Sequence, residues 1–166
     1  MSSSEIIRLG RRAFLLVPLA LAACGFTPAN APGGAATRLH ERVRAKDPTD
    51  KNGFDFVERI EERLGRPEAT AYDLSYTITT RAVGVGFTID SEITRYNLEG
   101  VIDYSLTDRE TGDRVAGGQV QSFTAYSATG STVAGLAAEE DAAYRLMRIL
   151  ADQIVVRLVA AVANLP

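Results

Sequence analysis

The sequence holds one cysteine and one histidine among its 166 residues. A single cysteine excludes an internal disulfide framework. A metal site needs clustered imidazole, thiolate or carboxylate ligands. The histidine, His40, stands alone in a charged segment with no nucleophile motif anywhere in the chain, so it is read as solvent-facing and not as the base of a Ser-His-acid set. Glu139-Glu140-Asp141 is a carboxylate run, but consecutive helix positions point around the cylinder; it suits the positive end of a helix start. Gly84-Val85-Gly86 resembles a piece of a phosphate-binding loop and lacks both the rest of the motif and the following helix. Gly117-Gly118 reads as a bulge or a close backbone approach in a strand. No catalytic set, no metal site and no cofactor is therefore expected, and the chain is read as a protein that is not an enzyme. Beyond residue 24 there is no run of about 20 apolar residues, so no membrane-spanning helix is expected there.

What is present is concentrated at the start. Arg8, Arg11 and Arg12 make a positive region, Ala13 to Ala20 an apolar one, and Ala22 and Ala23 precede Cys24. This is the layout of an export signal whose apolar run is too short to cross a bilayer. Leu21-Ala22-Ala23-Cys24 matches the bacterial lipobox. Residues 1–23 are read as the signal peptide, cleavage as falling between Ala23 and Cys24, and Cys24 as the lipid-modified residue. Each buried methylene of an acyl chain contributes roughly 0.8 kcal/mol, so two or more chains hold a protein where one does not. Gly25, not Asp, follows the cysteine, which points to the outer membrane and a periplasm-facing domain. Gly10-Arg11-Arg12-Ala13-Phe14-Leu15 also resembles a twin-arginine export motif. The export signal carries three arginines and one glutamate; the remainder has 15 basic and 20 acidic residues, a net charge of −5. That balance does not suit a nucleic-acid backbone, and no nucleic-acid partner is expected.

Residues 24–37 are rich in Ala, Pro and Gly and read as a flexible tether. Residues 38–166 read as a single α+β domain. A first strand is expected over 38–46, with Leu39 and Val43 as its apolar points. A helix is expected from about Gly53 to Leu64, with Phe54, Val57, Ile60 and Leu64 on one face, Phe56 broadening it, and Asn52 as cap. Tyr72, Leu74, Tyr76 and Ile78 alternate with polar residues as in a half-buried strand. Val83, Val85, Phe87 and Ile89 either extend that strand or form a hairpin tip. A further strand runs through Tyr96, Leu98, Ile102, Tyr104 and Leu106. After the turn Glu110–Asp113 comes its antiparallel neighbour, from about Arg114 to Tyr126. A long helix follows over about 133–163, with Ala143, Met147, Leu150, Ile154, Leu158 and Ala161 as its buried stripe. The expected architecture is two helices packed on one face of a four-stranded, largely antiparallel sheet.

Cys24-Gly25-Phe26-Thr27-Pro28, the stretch from Tyr96-Asn97-Leu98 to Tyr126, and a last helix carrying Glu140-Asp141-Ala142 and Arg145-Leu146 resemble the LptE family, the lipoprotein subunit of the outer-membrane lipopolysaccharide translocon. Where the family often continues the start with Leu-Tyr, this chain has Ala29-Asn30. The resemblance implies a non-enzymatic plug and assembly partner of the translocon's β-barrel that contacts lipopolysaccharide. Lipopolysaccharide phosphates call for cations, and Arg81 and Arg95, which bracket the glycine-broken segment, are the candidate ligands. A different class of function is also open: a lipid-tethered periplasmic binding module, such as an auxiliary subunit of a transport system. A tethered hydrolase ranks last, for want of a catalytic set.

Overall fold

Ala35 and Leu39 stand four residues apart, a helical spacing. Both are buried in α1 (Ala35–Leu39), the first element of the computed structural model. The structure describes residues 34–163, except 88, 90, 91, 129 and 130. The strand expected over 38–46 is thereby cut down to β1 (Val43–Ala45), and the helix begins within the stretch read as tether. Glu41, with φ at 59°, turns the chain between the two elements. Leu39 and Val43 do share the core, as the sequence suggested, but from a helix and a strand rather than from one strand.

Helix α2 (Lys51–Leu64) carries the chain back, so that β2 (Tyr72–Phe87) runs parallel to β1, with Val43 opposite Tyr72 and Ala45 opposite Leu74. A helical crossover between neighbouring strands makes them parallel, and the sheet is therefore mixed, not wholly antiparallel. The N-cap of α2 is Asp50, whose carboxylate accepts the Gly53 N–H at 2.7 Å, so the expected cap Asn52 lies inside the helix. Gly65, at φ 79°, ends it. The buried stripe is Gly53, Phe56, Ile60 and Leu64, while Phe54 is 61% exposed. Phe56 decides this rotation by packing on Tyr76, with ring centroids 4.6 Å apart.

The two alternations after residue 72 form one long strand. β2 pairs antiparallel with β3 (Ile93–Asp108), in unbroken register from Tyr72↔Asp108 to Gly84↔Tyr96 and with shifts around Gly86. β3 pairs antiparallel with β4 (Arg114–Ser127), as the tight connection requires. The Asp108 carboxylate accepts the N–H groups of Glu110 and Thr111, and Gly112 takes φ 76°, which closes that turn. The order in space is β1-β2-β3-β4.

Helix α3 (Thr132–Ala163) buries Met147, Leu150, Ile154 and Leu158 as its periodicity predicts, together with Ala142, Leu146, Ala151, Val155 and Val162. Ala143 and Ala161 sit half-buried at the margin of that stripe. Each large aliphatic side chain so buried contributes about 1.5–3 kcal/mol. Gly100 of β3 lets the helix approach: a Cβ there would lie 2.9 Å from Leu146 Cδ2 and 3.0 Å from Leu150 Cδ1. The Thr124 hydroxyl donates to the Ala142 carbonyl at 2.8 Å. The chain thus has three helices among the described residues, one more than its sequence suggested.

Candidate functional site

Strand side chains alternate between two faces. In β3, Leu98, Gly100, Ile102, Tyr104 and Leu106 are buried, so Asn97, Glu99, Val101, Asp103 and Ser105 point the other way. The register places Thr77 beside Asp103 and Thr79 beside Val101 on that second face, where both threonines are exposed. β4 adds Gln119, Gln121 and Phe123 in the same phase. The polar residues on this face are cross-linked. Arg81 donates to Glu99 at 2.7 Å, Gln119 donates to Asp103 at 3.0 Å, and Arg109 lies 3.2 Å from Asp73. Cross-strand pairs of this kind stabilise the sheet from its exposed side.

Phe123 is a large apolar side chain on this mostly polar face, which also bears Val101. It is 61% exposed, directly across from Glu99. The sequence reading passed over it. Its signal was phase: Phe123 falls on the Gln119–Gln121 side of the alternation, whereas the inward side runs through Val120 and Thr124.

Arg81 and Arg95 also belong to this face. Arg81 stands across from Glu99, four residues along β3 from Arg95, or roughly 13 Å at strand spacing. The Arg81 guanidinium already shares its charge with Glu99, and both arginines are exposed. His40 is exposed at the end of α1, its Nδ1 3.6 Å from a Glu41 carboxylate oxygen. Ala23 and Cys24 lie outside the described residues. Asp141, in the carboxylate run, pairs with Arg145 one turn on at 2.8 Å, and Arg114 lies over Gly117. No group of three or more metal-binding side chains occurs among the described residues, and none of the described helices is long and apolar enough to cross a membrane.

The opposite side of the molecule, where α2 meets α3, is a network of charges. Arg59 reaches both Asp152 oxygens, at 3.0 and 2.8 Å, and Glu62 at 2.8 Å; Arg148 joins Glu62 at 3.1 Å. Hydrogen bonding from Arg59, and then from Arg148, lowers the Glu62 pKa, and the bonds to Asp152 and Glu62 raise that of Arg59. This network joins helix to helix and leaves little charge unspent for a ligand. Two tyrosines titrate above their ordinary range. Burial, followed by Asp50 and Asp47, raises Tyr76; burial, followed by Glu139 and Tyr96, raises Tyr126.

The fold has solved counterparts. A Caulobacter crescentus CB15 protein described as a lipoprotein superposes with a TM-score of 0.68 at 19% identity, over 78% of this chain and 97% of that one. Rare lipoprotein B from Shewanella oneidensis gives 0.58 at 12% identity, over 74% and 96%. Lipoprotein B from Nitrosomonas europaea gives 0.57 at 15% identity, over 84% and 94%. At these identities the likeness is one of fold. No curated protein is significantly similar in sequence. The family model for LptE, lipopolysaccharide-assembly, matches residues 41–158, from just before β1 to near the end of α3. With well over half of its length matched, the chain belongs to the LptE lipopolysaccharide-assembly family.

Proposed function

We propose that the protein is a periplasm-facing lipoprotein of the outer membrane, anchored through Cys24, that works by contact as plug and assembly partner of the β-barrel translocon for lipopolysaccharide. The observation that carries this reading is the second face of the sheet. The face that bears Leu98, Ile102 and Leu106 is buried in the core; on the other face Arg81 is paired with Glu99, Gln119 with Asp103, and Phe123 is exposed. The interior of a large barrel is polar, and a face of this polarity suits it. An exposed aromatic ringed by polar residues is the usual form of a binding hot spot. Membership of a lipopolysaccharide-assembly family supplies the class of cargo. Arg95, with Arg81 beside Glu99, is the candidate phosphate contact on the same face.

The reading is tested by purifying the full-length protein from detergent-solubilised outer membranes. A β-barrel protein is expected to accompany it, and Phe123→Asp should reduce the recovered barrel at least tenfold while leaving the fold intact. Cys24→Ala should abolish fatty-acid labelling. Wild-type protein that comes away without a barrel, from cells with normal surface lipopolysaccharide, would replace this reading with that of a tethered binding module. Unchanged lipopolysaccharide affinity in folded Arg81→Glu/Arg95→Glu protein would remove both arginines from the site.

A further inference from the structure

The two long edges of the sheet are treated differently. On β4 two of the outward carbonyls are taken by the long helix: Arg157 donates to Gln119 O at 2.7 Å and Arg145 to Ala125 O at 3.5 Å. On β2 the outer edge pairs with β1 only from Tyr72 to Leu74. The bonds Tyr72 N–H to Arg42 O and Lys46 N–H to Leu74 O show that even-numbered residues of β2 aim their backbone groups outward. The ladder to β3 is regular through Gly84, so Thr80 and Ala82 do the same. Beyond the Lys46–Asp50 turn, which lies against Tyr76 and Ile78, no described element pairs with them. Residues 79–85, Thr-Arg-Ala-Val-Gly-Val after Thr79, hold no Pro and no Lys, and Arg81 is their one charge against edge pairing. The register shifts at Gly86 mark where the template stops.

We infer that the edge of β2 at residues 79–85 receives an added strand, a short extended segment of a different polypeptide. Backbone amides would supply the affinity, as in other β-augmentation sites. Arg81 selects the occupant. Its side chain is 74% exposed beside this edge, and although Glu99 holds the guanidinium on one side, a carboxylate on the added strand would share it from the other. A second copy of this chain is disfavoured by the same residue. Two-fold pairing must be antiparallel, and centred on Ala82 it would set two Arg81 side chains near one another on one face. The inference rests on the proposed barrel partnership, because that partner is the polypeptide expected to contribute the strand.

The test is hydrogen exchange on the full-length protein, alone and in the complex purified from membranes. The N–H groups of Thr80 and Ala82 should exchange quickly in the isolated protein and at least tenfold more slowly in the complex. Ala82→Pro removes an outward N–H without touching the β2–β3 ladder, and proline is tolerated at such edge positions. It should lower recovery of the complex, whereas Gln121→Pro on the outward register of β4 should not. A complex that forms while Thr80 and Ala82 remain unprotected would overturn the added strand and leave the partnership standing. Wild-type protein that yields no complex would overturn both. Protection that grows with concentration of the isolated protein would mean self-pairing and would likewise overturn the inference.

Discussion

The two ends of helix α3 belong to different environments. From Ala142 to Val162 the helix lies against the sheet, and Leu146, Met147, Leu150, Ile154 and Leu158 have no measurable exposure. From Thr132 to Asp141 it has no fully buried residue; Val133 is 77% and Leu136 58% exposed. The neighbouring hairpin shows the same contrast. Leu74 and Leu106 are sealed under the helices at one end of β2 and β3, while Val85, Ile89 and Ile93 are exposed toward the other. Apolar residues at the sealed end are held by close packing, which responds to every methylene. At the open end they are available for contact, and changes there should be felt in binding more than in folding. The contrast teaches that hydrophobicity in this chain has two uses, and only burial tells them apart.

Four experiments test this division, in falling order of effect. Leu150→Ala should cost about 2–5 kcal/mol, because it opens a cavity in a tight core. Leu136→Ala should stay within about 0.5 kcal/mol. Equal midpoints in chemical denaturation would erase the distinction between the two ends. A second pair uses glycines. Gly100→Val would press into Leu146 and Leu150 and should cost about 1–3 kcal/mol. Gly135→Ala meets nothing within 4 Å in the helix and should stabilise by about 0.5–1 kcal/mol. Thermal unfolding should show the two moving in opposite directions, and a shared direction would contradict the assigned packing.

Third, Asp50→Ala removes the cap of α2 and should cost about 1 kcal/mol, visible as a lower denaturation midpoint, whereas Asn52→Ala should be nearly neutral. The smallest effect belongs to the charge network between α2 and α3. The Glu62 pKa is lowered in the folded state, so its contribution is present above the ordinary carboxylate range and is lost as pH falls through that range toward the folded value. Glu62→Gln should flatten the acid limb of the stability profile slightly. An unchanged acid limb would assign acid sensitivity elsewhere. Arg148 belongs to this network and also donates to the Tyr144 hydroxyl at 3.0 Å, so its loss should be felt as well.

Much of the fold could be read from period alone. Alternation located β2 and β3, the turn at Glu110–Asp113 placed β4 after them, and steps of three and four located α3 with Met147, Leu150, Ile154 and Leu158 correctly turned inward. Of the polar residues in those alternations, Thr77, Thr79 and Asp103 are exposed, and Asn97, Glu99 and Ser105 are half-buried. These signals are local, since each strand or helix must bury one side of itself whatever its neighbours are. Errors arose where a neighbour made the choice. Phe54 and Phe56 are equally apolar, and it is Phe56 that packs on the Tyr76 ring and joins the core. Leu39 and Val43 fit a strand until the turn at Glu41 splits them between α1 and β1.

By itself, then, the sequence determined the α+β class, the long strands and the stripe of the last helix, because repeat period is a property of the chain's own geometry. Only the tertiary structure decided that β1 lies parallel to β2, that Arg81 is shared with Glu99, that Phe123 stands exposed on a mostly polar face, and that two carbonyls of the β4 edge are met by arginines while no described strand pairs with the outer edge of β2 beyond Leu74. Each of these depends on residues far apart in sequence meeting in space, and no local pattern records such a meeting.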